Sequence, residues 1–145
     1  MASWRDNASP RAQADLDALV EPALGFAQQQ LAKHGEFFPY AVVVRSDGDT
    51  EMIAARPDPD DEHPASTDVI DACLIAVTER REHLRAAAIV ADVRLADGRD
   101  AIRVDLEHSE GAALTLLLPY SKKRFSRDIH YGQLQAAAGD RHIWL

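Results

Sequence analysis

The stretch FPYAVVVRSDGDTEMIAA, residues 38–55, decides the fold. From Phe38 to Arg45 it reads as a strand that is apolar on both faces, through Tyr40, Ala41, Val42, Val43 and Val44. Asp47-Gly48 then supplies the positive backbone angles of a tight turn at little steric cost. Thr50 to Ala55 follows as a shorter and more mixed strand. The stretch therefore predicts an antiparallel hairpin. The same device recurs at Asp97-Gly98 and Glu110-Gly111, each between two apolar, strand-like runs, so the chain predicts antiparallel sheet more widely.

Working outward toward the N-terminus, the first eleven residues read as a poorly ordered lead-in, given Asn7, Ser9 and Pro10. Leu16, Leu19, Val20, Ala23, Leu24, Ala27 and Leu31 then fall at helical spacing and form one stripe. Asp15, Asp17 and Glu21 lie near the start of this helix and Lys33 and His34 near its end, as the helix dipole prefers. Gly35 suits a C-terminal cap. Pro22 either kinks the helix or marks the first turn of a second one.

Toward the C-terminus, RPDPDDEHP (56–64) is a solvated loop, with acids at the wrong spacing for a calcium site. Ser66, Thr67 and Asp68 open a second helix, with the stripe Ile70, Cys73, Leu74, Val77 and Leu84 carrying it to about Arg85. A strand from Ala87 to Leu95 follows. The fourth strand alternates, with Ile102, Val104 and Leu106 inward and Arg103, Asp105 and Glu107 toward water. The fifth, Ala112 to Pro119, is apolar on both faces. Residues 131–138 read equally as a short helix or an extended arm, and 141–144 as a candidate short strand.

Strands apolar on both faces belong in the middle of a sheet, so these assignments predict an α+β domain with a five-stranded antiparallel sheet in the order 2-1-5-4-3. A long N-terminal helix and a crossover helix between strands 2 and 3 complete it. One domain spans residues 1–145, with 121–145 a mixed basic segment. The element order resembles the roadblock and profilin-like superfold, a likeness that implies regulatory dimers, small-molecule sensors or adaptor modules. A second resemblance rests on residues. Leu31-Ala32-Lys33-His34-Gly35-Glu36-Phe37-Phe38-Pro39-Tyr40 with Asp47-Gly48, and Leu118-Pro119-Tyr120 with Lys122, Lys123 and Arg124, resemble the opening and closing segments of an uncharacterised family of small bacterial proteins. That resemblance implies a fold and no site.

Composition narrows the function classes. The net charge is −8, split into −11 over residues 1–120 (11 basic, 22 acidic) and +3 over 121–145 (five basic, two acidic). Such a balance argues against nucleic acid or an anionic membrane as partner. No apolar run reaches the roughly 18–20 residues of a membrane span. Residues 1–14 carry Arg5, Asp6, Asn7 and Arg11 where a secretory signal needs an apolar stretch, so a cytoplasmic location is expected. The single Cys73 forms no internal disulfide or cysteine cage and reads as a buried, inert thiol. No cofactor is expected, because the chain has neither a glycine-rich phosphate loop nor metal-ligand spacing among its histidines. Ser121 lacks a nucleophile elbow.

Two clusters carry what chemistry there is. At the hand-over from helix one to strand one, His34 and Glu36 form a candidate acid/base pair beside Tyr40; the plainer reading is that Phe37 and Phe38 plug the core corner while Pro39 starts a strand. His108 follows Ile102, Val104 and Leu106 in phase, at the rim of the buried face, where a backbone carbonyl would satisfy it. Tyr120, Lys122, Lys123, Arg124, Phe125 and Arg127 form the basic stretch, a candidate surface for RNA or a phosphorylated ligand, or for pairing with the acidic body. Trp4 and Trp144 at the two ends dock on their own domain or on a partner. The chain accordingly reads as a non-enzymatic interaction or regulatory module, self-associating or bound to a protein partner. Its rivals are a toxin-neutralising immunity protein with an acidic binding face, and a small hydrolase or isomerase using His34, Glu36 or His108. The sequence names no small-molecule ligand.

Overall fold

A computed structural model describes residues 4–123 and 128–145. A 3-10 turn at Trp4–Asn7 precedes α1, Pro10–His34, so most of the expected lead-in is ordered. Ser9 caps α1 by accepting the Ala12 N–H, and Pro10 occupies the first turn, where its missing N–H costs nothing. The helix runs through Pro22 as a single element. It ends where expected, on Gly35 at φ 75°.

Next come β1 (Tyr40–Arg45), β2 (Thr50–Ile53) and α2 (Ser66–Glu79). After a 3-10 turn at Arg81–His83 follow β3 (Leu84–Arg94), β4 (Asp100–His108), β5 (Ala113–Lys122), β6 (Ile129–Tyr131) and β7 (Gln135–Ala138). Helix two thus stops six residues short of Arg85, and Leu84 belongs to a strand. All three acid–glycine turns close hairpins, with Gly48, Gly98 and Gly111 at φ 93°, 89° and 112°.

The described residues form a seven-stranded antiparallel sheet in the order β2-β1-β3-β4-β5-β6, with β7 also paired to β5. This corrects the five-stranded order 2-1-5-4-3. β1 and β5 are not neighbours, because β3 and β4 lie between them. The physical reason lies in β3. Its run Ala86–Ala91 is buried throughout, and its alanines let α1 and α2 pack closely on opposite faces. The sheet is therefore centred on β3. In β5 the Leu114, Leu116 and Leu118 face is buried, while on the other face Thr115 and Leu117 are half-covered and Pro119 is buried.

On one face, Leu16, Leu19, Ala23, Ala27 and Leu31 of α1 pack on Val42, Val44, Ala88, Val90, Val104, Leu106 and Leu116. On the other, Val69, Cys73 and Val77 of α2 pack with Ala41, Val43, Ala87, Ile89 and Ile143. Residues 131–138 contribute strand, not helix. β6 and β7 lie end to end along the same side of β5. Their register shifts by one residue between Tyr120↔Tyr131 and Leu117↔Gln135, so 132–134 form a bulge. No described helix is long and apolar enough to cross a membrane.

Candidate functional site

Three groups of polar side chains among the described residues bear on the candidate sites, and the first is buried. Asp15 of α1 is 5% exposed and His108 at the end of β4 is 1% exposed. His108 Nδ1 accepts the Glu110 N–H at 3.0 Å, which leaves the ring proton on Nε2 to donate to Asp15 Oδ2 at 2.8 Å. Arg85 Nη2 donates to Asp15 Oδ1 at 2.6 Å. Burial works to raise the Asp15 carboxyl, but the hydrogen bonds from Arg85 and His108 and the Arg85 charge outweigh it and hold it below the ordinary carboxylate range. His108 is thus satisfied by a carboxylate from another element and a backbone N–H, not by the backbone carbonyl expected for a rim residue. Both ring nitrogens are engaged and sealed from solvent, so this Arg–Asp–His constellation ties α1 to the sheet and the β4–β5 turn. Neither Asp15 nor His108 is open to solvent.

The second place corrects an expectation. Glu107 was predicted to face water with Arg103 and Asp105, yet it is 4% exposed. Its carboxylate accepts three consecutive backbone N–H groups, from His142 (2.7 Å), Ile143 (3.1 and 3.0 Å) and Trp144 (2.6 Å). Ile143 is thereby held in the α2-side core, and Trp144 Nε1 donates to the Arg81 carbonyl at 3.3 Å. Residues 141–144 are not a strand; they are a strap over the sheet face that α2 leaves open. Trp144 docks on its own domain. Beneath the strap lies a cleft of about 120 Å³, lined by Ile70, Leu74, Ile89, Asp140 and His142 among others. Asp105 does reach solvent, accepting the Thr115 hydroxyl at 2.7 Å and pairing with Arg103 at 3.0 Å.

The third place lies at the opposite end of the sheet, where the two candidate clusters of the sequence meet. His34 and Lys33 end α1, Lys122 ends β5, and together with Leu31, Ala32, Gly35 and Ile129 they line a groove of about 300 Å³. Lys122 Nζ lies 3.6 Å from the position that a Cβ on Gly35 would take. Glu36 is exposed and makes no hydrogen bond to His34 among the described residues. Tyr40 is a core residue. Its hydroxyl donates to the Ala23 carbonyl, its ring meets Phe26 and Phe37 edge-on at 4.9 and 5.9 Å, and burial pushes its phenol up. Phe37 packs as expected, whereas Phe38 is 49% exposed and plugs nothing. Tyr120 is buried and donates to Asp92 Oδ1 at 2.6 Å. Burial and the Asp92 carboxylate both push this phenol up, and burial raises Asp92 in turn. Lys123 is exposed, and Arg124, Phe125 and Arg127 lie outside the described residues.

The sheet keeps these two ends apart. His108 lies level with Val44 across β3, while Tyr40 begins β1 four residues away, roughly 13 Å along the strands. His34, Glu36 and His108 therefore do not converge on one centre, as an acid/base mechanism through them would require. Among the described residues no group of three or more His, Cys, Asp or Glu side chains is placed to hold a metal. Cys73 is fully buried and burial raises its thiol, as its place in an apolar stripe implied.

Asp15 and Glu107 were the residues missed. Asp15 had a signal: it sits three residues after Ala12 and four before Leu19, inside the buried stripe, where an acid needs a partner. Glu107 had none, since its alternation points outward and its partners are 35 or more residues away. No protein-family model matches the chain, and neither does any curated protein or solved structure.

Proposed function

We propose that this chain is a non-enzymatic interaction module that self-associates by strand addition, a second copy pairing with the open β6–β7 edge. An asymmetry between the two sheet edges supports the reading. At one edge β2 has four residues, and its Glu51 is clamped by Arg80 at 2.6 Å and Arg45 at 3.5 Å. It then runs into the acidic, proline-rich loop. Short, charged edges of this kind resist pairing. The other edge, residues 129–139 (IHYGQLQAAAG), contains no Lys, Arg, Asp or Glu. All four residues of β7 are exposed, as are Tyr131 and Leu134.

The backbone phase of β7 completes the case. Gly139 N–H donates to the Ala113 carbonyl at 3.2 Å, in register with Thr115↔Ala137 and Leu117↔Gln135. In an antiparallel ladder the bonded and non-bonded positions alternate. The N–H and C=O groups of Ala136 and Ala138 therefore point away from β5, and no described strand lies beyond them. A two-fold pairing of this uncharged segment with itself opposes no like charges, and the alanines let the two backbones approach.

Light scattering on the purified chain tests the proposal. The wild type is expected at dimer mass with a Tm that rises with protein concentration, and Ala136→Pro at monomer mass with a cooperative melt that no longer depends on concentration, because proline removes only an outward N–H. A monomeric wild type, or a proline variant that still dimerises, overturns it.

A further inference from the structure

The groove between the end of α1 and the end of β5 is unexplained by strand pairing, and the inference drawn from it stands independently of that reading. Lys33, His34 and Lys122 converge on it from two elements, and no carboxylate lines it. None of the three makes an ion pair or hydrogen bond with the described residues. Arg45, Arg80, Arg85 and Arg103, by contrast, are each taken up by a carboxylate. Lys122 is felt electrostatically by Asp92, which Glu36 also faces, but neither acid lines the groove.

Helix capping accounts for only part of this charge. The α1 C-terminus presents about half a unit of negative charge, against two ammonium groups and an imidazole. Asp92 offsets part of the remainder from outside the groove, and no carboxylate within the lining offsets the rest. Leu31, Ala32 and Ile129 supply the apolar part of its lining.

We propose that this groove binds a small phosphate monoester carrying a short apolar group. Lysine ammonium groups act as point charges with rotatable donors, and cationic donors approaching from two elements suit a tetrahedral oxyanion. No arginine fork, which would favour a planar carboxylate, lines the groove. At about 300 Å³ it lies at the lower end of small-molecule sites, which restricts the ester to a compact one.

The test uses n-butyl phosphate and inorganic phosphate as probes, titrated calorimetrically and by amide chemical shifts at low salt. Saturable one-to-one binding is expected, with shifts confined to residues 31–35, 122 and 129, and with n-butyl phosphate the tighter ligand. Lys33→Gln and Lys122→Gln are each expected to weaken binding about tenfold, the value of one charge-assisted hydrogen bond. Both positions are exposed, so the variants should melt with the wild type. Absence of saturation at millimolar probe, shifts scattered over the surface, equal affinity for the two probes, or glutamine variants that bind like wild type would each overturn the proposal.

Discussion

Replacing Glu107 with alanine removes the one side chain that holds the C-terminal strap, and the structure bounds what that costs. Two responses are open to the molecule. If the strap stays docked, the Ile143 N–H remains buried without an acceptor, at about 1–3 kcal/mol, while His142 and Trp144 recover part of their loss from water. If it detaches, Ile143 gives up about 1.5–3 kcal/mol of burial and the half-buried Trp144 somewhat less, against regained chain entropy. The cheaper route sets the result, so the loss is about 2–3 kcal/mol. With an unfolding entropy of about 2.1 cal/mol/K per residue over 145 residues, each kcal/mol lowers Tm by roughly 3 °C. Glu107→Ala should therefore melt about 6–9 °C below wild type. Glu107→Gln, which keeps one acceptor, should fall between the two. Asp105→Ala on the same face loses only a half-exposed pair and one hydroxyl bond, and should stay within about 1 kcal/mol. Differential scanning calorimetry of the three variants decides the matter. A Glu107→Ala melt within about 2 °C of wild type would refute the strap argument.

The remaining expectations address the other structural claims. Asp15→Asn should cost about 2–4 kcal/mol at neutral pH, since Arg85 and His108 lose their shared anion. The folded-state pKa of Asp15 is depressed, so its contribution is complete above the ordinary carboxylate value and lost as pH falls through the lowered one. Urea titrations from pH 7 to pH 2 should accordingly show a shallower acid-side decline in Asp15→Asn; identical slopes would contradict the assignment. Gly139→Ala would bring a Cβ within 2.8–2.9 Å of the Leu114 backbone. It should destabilise β7 and the strap together, visible as faster amide exchange at 135–144 with β3 unaffected. Val43→Asp puts a charge into the fully buried strand β1 and should abolish the cooperative melt; a folded variant would contradict its placement between two helical layers.

Local signals in the sequence were read correctly and non-local ones were not, for physical reasons visible in particular residues. Asp47-Gly48, Asp97-Gly98 and Glu110-Gly111 closed the hairpins predicted, and Gly35 capped α1, because each needs only its own neighbours to dictate a backbone angle. Strand order depends on which faces helices cover. The second apolar face of β5 suggested a central strand, yet Thr115 and Leu117 are only half-covered, while the alanines of β3, individually weak strand signals, mark the centre. Helix two was read through Leu84 because Val77 and Leu84 share a helical phase. The same leucine opens β3, where the register shift at Val44/Arg45 turns it into the α2-side core, and there it is buried. His108 and Lys122 were identified as residues of interest, but the Asp15 that satisfies one lies 93 positions away, and the Lys33 and His34 that join the other lie 89 and 88 positions away.

The claim on which the functional account depends is that the Ala136 and Ala138 N–H groups face an edge waiting for a second copy. Amide hydrogen exchange read residue by residue at low and high protein concentration tests it directly. The account predicts that these two amides exchange freely in dilute solution and gain protection as concentration rises, while Ala137, already bonded to β5, changes little. Exchange at Ala136 and Ala138 that is fast at every concentration would contradict it.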